Sequence, residues 1–320
     1  MINNIRTNFN NKPINFAHRD PSSQQQQRVA IVDVFSNGIA PNLEMDINGD
    51  GIKDLYHGHF TEGVLRSSGP HSQLPEIERF EDDGSDPFFI NTIKTITERN
   101  SDDNPDNDIE WLNISISYDA ETPPCFSDEE NPDKEVDNGI REKIIGEMPS
   151  KIKKELLALG ELAQTSIFSG GKTAVYTMAG NLGKEHFNLF SVVKGIKSIG
   201  GLNEKNEISI FSGKNLLQGK NDWAPLEFVC KLVEDENSGE PLGYDIAPKG
   251  KEGDGEIDID FSDPSIKISG DYKGNNPSNP ILKEITIKGT SGSTPYKLGK
   301  DYQAKQAGKT EWNPFTDTYV

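Results

Sequence analysis

The sequence predicts an α/β fold: a doubly wound, mostly parallel sheet with helices on both faces. Two stretches predict it. Val29-Ala30-Ile31-Val32-Asp33-Val34-Phe35 is a near-continuous apolar run of the kind that forms strands buried on both faces. Between residues 75 and 118, a short strand, an acidic turn, an amphipathic helical pattern and a second apolar strand follow one another. Strands alternating with helices argue for a parallel sheet with crossover helices.

The first 27 residues are rich in Asn and Gln, ending in Ser22-Ser23-Gln24-Gln25-Gln26-Gln27, and read as a flexible polar arm. Residues 28–320 contain no linker-like break and read as one domain. Ile77 to Phe80 is a strand and Glu81 to Asp86 an acidic turn. Phe88 to Arg99 carries apolar residues at 89, 90, 93 and 96, the spacing of an amphipathic helix. Ile109 to Ser117 is a buried strand, and residues 119–138 form an acidic, proline-bearing surface loop. A long helix over Ile140 to Gly160 is kinked or split at Pro149. Lys172 to Gly183 is a strand ending in an Asn between glycines. A strand pair at 189–202 and 207–212 follows, then a strand closed by Gly243 to Gly250. Asp254 to Asp263 alternates charge with Ile, as an exposed strand does.

Net charge is −19, with 52 acidic against 33 basic residues, which disfavours binding to nucleic acid or other polyanions. Only 33% of residues are hydrophobic, and 30 Gly with 19 Pro imply long loops around a modest core. No apolar run is long enough to span a bilayer, so no membrane partner is expected. The N-terminal stretch lacks a secretory h-region, which leaves a cytoplasmic compartment or export by a non-classical route. Cys125 and Cys230 are either one bridge or two free thiols.

Four stretches carry chemistry-bearing residues. In Ile285-Thr286-Ile287-Lys288-Gly289-Thr290-Ser291-Gly292-Ser293-Thr294-Pro295, a β-branched strand leads through a glycine turn into a helix. Thr294 is placed to cap that helix and Pro295 to occupy its first position. Ser291 then lies at or just before the helix N-terminus, either as a nucleophile beside backbone N–H groups or within an ordinary capped turn. Asp33, near the end of a buried strand, either serves a site at the carboxyl edge of the sheet or caps a turn. His57 opens a helix whose Gly63 permits close approach to a neighbour. Asp46, Asn48, Asp50, the Ile52 carbonyl and Asp54 occupy positions 1, 3, 5, 7 and 9 of a calcium-loop spacing, with Gly51 at the bend. An Asx-rich turn is the other reading of that loop.

Asp33, His57 and Ser291, in this order, resemble the subtilisin-like serine proteases (subtilases), whose Asp…His…Ser order is established. The resemblance is carried by Gly289-Thr290-Ser291-Gly292-Ser293-Thr294-Pro295, which keeps every fixed position of the family's Gly-Thr-Ser-x-x-x-Pro. His57-Gly58-His59-Phe60-Thr61-Glu62-Gly63 keeps the outline of its histidine motif and selects His57 over His59. Ala179-Gly180-Asn181-Leu182-Gly183 is similar to the segment bearing the family's oxyanion asparagine. Asn113-Ile114-Ser115-Ile116-Ser117 resembles the strand whose edge binds extended substrate. Asp245 to Gly250 resembles a further family segment. Two departures stand out: Val34-Phe35 follows Asp33 where the family has Ser/Thr-Gly, and Thr61-Glu62 replaces its Val-Ala.

The resemblance implies a serine endopeptidase acting on protein or peptide substrates. Its nucleophile would be Ser291, its base His57, its orienting acid Asp33 and its oxyanion donor Asn181. Ser115, Ile116 and Ser117 would bind substrate, and a structural calcium ion would stabilise the fold. The alternative is a weak or inactive member serving as a calcium-binding scaffold. The acidic Asp128-Glu129-Glu130 loop and the net charge favour basic peptide segments.

Overall fold

The computed structural model describes residues 27–35, 44–49, 53–81, 88–102, 104–121, 138–165, 171–183, 185–213, 222–266, 268 and 281–320. The arm to residue 26, the turn at 82–87, residues 122–137 of the acidic loop, and Asp50, Ile52 and Cys125 lie outside them. The first strands are β1 (Arg28–Asp33), β2 (Glu44–Met45), β3 (Leu55–Tyr56), β4 (Glu76–Glu81), β5 (Trp111–Ile114), β6 (Asp119–Glu121), β7 (Ala174–Met178) and β8 (His186–Asn188). The rest are β9 (Ile196–Leu202), β10 (Trp223–Pro225), β11 (Glu227–Glu234), β12 (Pro241–Pro248), β13 (Ile259–Asp260), β14 (Glu284–Lys288), β15 (Trp312–Asn313) and β16 (Thr318–Tyr319). The helices are α1 (His57–Arg66), α2 (Phe88–Asn100), α3 (Asn138–Glu147), α4 (Ser150–Gln164) and α5 (Thr290–Gln306).

A six-stranded sheet of order β10-β9-β7-β5-β1-β4 is parallel throughout. β1 is apolar on both faces because both faces are covered. Val29 and Ile31 join a core with Val64 and Leu65 of α1 and Leu298 and Tyr302 of α5. Ala30 and Val32 join a second core with Ile93 and Ile96 of α2 and Leu156 and Leu159 of α4. Helices therefore cover both faces, the α/β arrangement expected from the alternation of strands and helices. A second, antiparallel sheet of order β13-β12-β11-β14 closes over the α1–α5 side.

The break at Pro149 divides α3 from α4, with Pro149 at the N-cap of α4. Three stretches expected as strands differ, and residues 119–121, expected in the acidic loop, form β6 by pairing with β8. Residues 189–192 are a short 3₁₀ turn, and the strand begins at Ile196. Residues 207–212 contribute a single Leu202–Ile208 bridge, because Asn203 closes a tight turn by accepting the Lys205 and Glu207 N–H groups. Within 254–263 only Ile259–Asp260 is a strand, and Asp258 is buried rather than facing water, since its carboxylate accepts the Ile246 N–H at 2.7 Å and meets His71 at 2.9 Å. Cys230 is a buried free thiol.

α5 begins at Thr290, four residues before Thr294, so Pro295 lies inside the helix. A proline there supplies no N–H to the carbonyl four residues back, which is that of Ser291. That carbonyl instead accepts the Ser115 hydroxyl at 3.0 Å. Thr294 donates to Thr290 O at 2.8 Å rather than capping.

α5 is buried enough to enclose charge. Lys297 Nζ donates to Asp301 Oδ1 and to Trp312 O, both at 2.6 Å, and Trp312 N donates to Asp301 Oδ1 at 2.8 Å. Asp301 Oδ2 accepts from Tyr176 at 2.8 Å and Lys197 at 3.0 Å. Burial pulls Lys297 below the usual lysine value, against the pull of Asp301. Asp301→Ala should therefore strand a buried ammonium and remove about 3–5 kcal/mol of stability in urea denaturation. A loss below about 1 kcal/mol would show that the network is not a structural tie.

Candidate active site

The carboxyl end of the parallel sheet carries the site, because successive parallel strands deliver their following residues to one edge. Asp33 is the last residue of β1 and fully buried. Its Oδ1 accepts the Val34 N–H at 2.7 Å. His57 Nδ1 lies 2.8 Å from Oδ1 and 2.9 Å from Oδ2 of the same carboxylate. Thr61, one helical turn beyond His57, places its hydroxyl 3.0 Å from Asp33 Oδ2 and 3.0 Å from Gly58 O. The carboxylate is thus held from the backbone, the imidazole and a hydroxyl together.

α1 is seated so that His57 meets Asp33. Gly58 N donates to Val34 O at 2.7 Å, and a Cβ at Gly58 would lie 2.7 Å from both the Phe35 ring and that oxygen. A Cβ at Gly63 would lie 2.7 Å from Ile246, so glycine allows the helix to close on the second sheet. His59 has a different task. Its Nδ1 accepts the Tyr56 N–H at 3.0 Å, which leaves Nε2 to donate to Ser265 Oγ at 3.0 Å. Burial, then the Arg79 charge, lower its pKa to about 4. His59 is a neutral brace for the start of α1.

Ser291 is the second residue of α5. A Cβ at Gly289 would stand 3.1 Å from Ser291 Oγ and 3.4 Å from Asn181 Nδ2, so glycine keeps that approach open. Asn181 Oδ1 accepts the Thr290 N–H at 2.7 Å and lies 2.9 Å from Thr290 Oγ1. With its oxygen occupied on Thr290, the Asn181 amide keeps its N–H₂ for the cleft side. Gly180 has φ +105°, and a Cβ there would meet Asp119 Oδ1 at 2.9 Å.

His57, Ser115, Ile116, Ser117, Asn181 and Ser291 line one cavity of about 500 Å³. Met45, Phe60, Val64, Phe228 and Ile287 add an apolar lining, with Glu44 and Lys288 as its charged members. Ser115 supports the site as well as lining it, accepting from Asn113 Nδ2 at 2.9 Å and donating to Ser291 O. The Ile116 carbonyl accepts from Asn188 Nδ2 at 3.2 Å. Among the described residues, His57 bonds to Asp33 and no hydrogen bond joins it to Ser291. Sequence reading missed the Thr61 contact, although Thr61 shares a helix face with His57 at the i, i+4 spacing.

The proposed cation loop is the hairpin between β2 and β3. Asp46 Oδ1 accepts the Asn48 and Gly49 N–H groups at 3.3 and 2.6 Å, and Asp54 Oδ2 accepts the Ile47 N–H at 3.0 Å. Asp50 and Ile52 are outside the described residues, among which no three His, Cys, Asp or Glu side chains are grouped to hold a metal. Asp245 to Gly250 runs along β12 into the turn beyond it, and none of these residues lines the cavity. Among the described residues no helix is long and apolar enough to cross a membrane.

No protein-family model matches the chain, and no curated protein matches it. Among solved structures, it is similar to a lanthipeptide protease at 18% identity, over 87% of this chain and 72% of that one, with a TM-score of 0.42. It is similar to the prenylagaramide maturation protease PagA at 14% identity, over 90% and 80%, with a TM-score of 0.42. It is also similar to the PatG macrocyclase domain at 12% identity, over 89% and 78%, with a TM-score of 0.45.

Burial alone would lower His57, but the Asp33 charge and hydrogen bond outweigh it and hold the imidazole above its ordinary pKa of 6.5. A raised folded-state value means that this pair's contribution to stability is full below the unfolded value and fades as pH rises through the folded one. Ring-nitrogen NMR should place the wild-type His57 titration above 6.5. In Asp33→Asn burial acts unopposed, and the titration should fall below 6.5. An unchanged value in the variant would mean that the carboxylate does not set the imidazole's charge.

Proposed function

We propose that the chain is a serine endopeptidase with a subtilase-type triad. The observation that carries this reading is the bifurcated approach of His57 Nδ1 to both oxygens of the buried Asp33 carboxylate, beside a cleft that His57 lines together with Ser291 and Asn181. A serine hydroxyl is a poor nucleophile at neutral pH and needs a base to take its proton. With Nδ1 held by Asp33, His57 presents Nε2 as that base. Ser291 Oγ attacks the scissile carbonyl carbon while His57 takes the hydroxyl proton, and Asp33 stabilises the imidazolium. The Asn181 N–H₂ and the Ser291 N–H donate to the oxyanion. His57 then passes its proton to the leaving amine, and water hydrolyses the acyl-enzyme through the same base.

The missing His57–Ser291 hydrogen bond favours a second reading, an inactive scaffold of the same fold. Such bonds are often loose without substrate and tighten in the complex. Unfolded casein, with a fluorophosphonate probe for the serine, separates the two. Wild type should cleave and label, and Ser291→Ala should do neither. A folded wild type that neither cleaves nor labels would establish the scaffold.

We also propose that the β2–β3 loop binds calcium through Asp46, Asn48, Asp50, the Ile52 carbonyl and Asp54. The donors are all oxygen, which suits a hard cation. Asp54 leads through β3 directly into α1, so an ion there would stiffen the approach to His57. Chelation should lower the melting temperature of wild type and leave that of Asp46→Ala unchanged. Equal melting of wild type with and without chelator would discard the ion.

A further inference from the structure

Residues four apart share a helix face, so a side chain one turn beyond a histidine can reach the group that the histidine touches. In α1 that side chain is Thr61, four residues after His57 and buried. Its Oγ1 stands 3.0 Å from Asp33 Oδ2 and 3.0 Å from Gly58 O. A hydroxyl has one proton and donates it to one acceptor at a time. Threonines inside helices commonly return that proton to the carbonyl three or four residues back, which here is Gly58 O. A charged acceptor outcompetes a neutral one at equal distance, so the Asp33 carboxylate takes the proton.

This donor is not redundant. Asp33 Oδ1 has the Val34 N–H at 2.7 Å and His57 Nδ1 at 2.8 Å. Oδ2 has His57 Nδ1 at 2.9 Å and, among the described residues, Thr61 as its other donor. Without the hydroxyl, Oδ2 would depend on the imidazole alone, in a side chain fully removed from water. A buried oxygen short of a donor draws the shared N–H towards itself, and Nε2 at the far side of the ring turns with it. The seat of the helix does not need this hydroxyl. Gly58 N is bonded to Val34 O, His59 bonds to the Tyr56 N–H and to Ser265, and Glu62 pairs with Arg66 and Arg79.

We propose that Thr61 is a positioning residue of the protease reaction: its hydroxyl, donated to Asp33 Oδ2, balances the carboxylate so that His57 keeps the orientation in which Nε2 takes the Ser291 proton. The proposal rests on the protease reading and adds to it a side chain that works through Asp33. Among the described residues, Asp33 of β1 is the charged group that raises His57. His59 of α1, the other histidine in the field of Asp33, has its pKa lowered to about 4 and stays neutral where His57 titrates. Removing a donor from Asp33 therefore leaves more of its charge acting on His57 alone.

The test compares Thr61→Val, which keeps the shape and loses the hydroxyl, with Thr61→Ser, which keeps the hydroxyl and loses a buried methyl. Each is measured beside wild type for melting temperature, for kcat and KM on unfolded casein, and for the rate of fluorophosphonate labelling across the pH range in which histidine titrates. In Thr61→Val, kcat and the labelling rate should fall about tenfold with KM unchanged, the scale of one hydrogen bond to a charged group. The acidic limb of its labelling profile should move to higher pH. Thr61→Ser should keep the wild-type limb and most of the wild-type rate, although it melts earlier for want of the methyl. A folded Thr61→Val with wild-type kcat and an unmoved limb would overturn the proposal and leave the protease standing. Equal losses in the two variants would assign Thr61 to packing and overturn the proposal as well. A wild type that neither cleaves nor labels would overturn both readings together.

Discussion

The position of Ser291 depends on a buried carboxylate ten residues further along its own helix. Asp301 accepts hydrogen bonds from Tyr176, Lys197, Lys297 and the Trp312 backbone, and so joins α5 to β7, β9 and β15 at one point. The second tie between α5 and the β7 segment is Thr290 to Asn181. The two ties run in opposite chain directions, one at the start of α5 and the other eleven residues further along it. Two fastenings about 17 Å apart on one helix keep it from sliding past β7. The Ser291–Asn181 approach is therefore set by backbone geometry and a desolvated ionic network together.

Asp33 solves a similar problem at the other wall. A carboxylate removed from water must be met by donors, and the chain supplies a backbone N–H, an imidazole and a hydroxyl. Two of these come from α1, so satisfying the charge also docks the helix. Gly58 lets the start of α1 touch the end of β1, and Gly63 lets its middle touch β12 and β13. His57 is consequently oriented from both sides. Where the resemblance leads one to expect Ser or Thr after the aspartate, Val34 brings no hydroxyl, and Thr61 brings one from one turn beyond the histidine.

Much of this was legible because it follows from local pattern. The unbroken apolar run of β1, the 3–4 spacing of α2, the break at Pro149 and the glycine turn before Ser291 each have a local physical cause. What was not legible depends on partners far away in the chain. Thr294-Pro295 carries the signature of a helix start, yet the helix begins at Thr290, because Ser115 takes the carbonyl that Pro295 leaves unpaired. Lys297 and Asp301 stand four residues apart, a spacing common on solvated helix faces, and only the packing of α5 shows them enclosed. Asp258 reads as an outward residue of an exposed strand, and it is buried because His71 and the Ile246 N–H converge on it.

The strand order explains why the candidate groups meet at all. β7, β5 and β1 are adjacent, parallel neighbours. Asn181 follows β7, Ser115 follows β5, and Asp33 ends β1. Neighbouring strands lie about 4.8 Å apart, so these three positions form a row roughly 10 Å wide at one edge of the sheet. Each member then engages the start of a helix: Asn181 holds Thr290, Ser115 holds the Ser291 carbonyl, and Asp33 holds His57. Two helix N-termini are thereby gathered over three strand ends, with Ser291 on one and His57 on the other. Moving any of the three strands by one place in the sheet would break this row, so the site is a consequence of the topology and not of its loops.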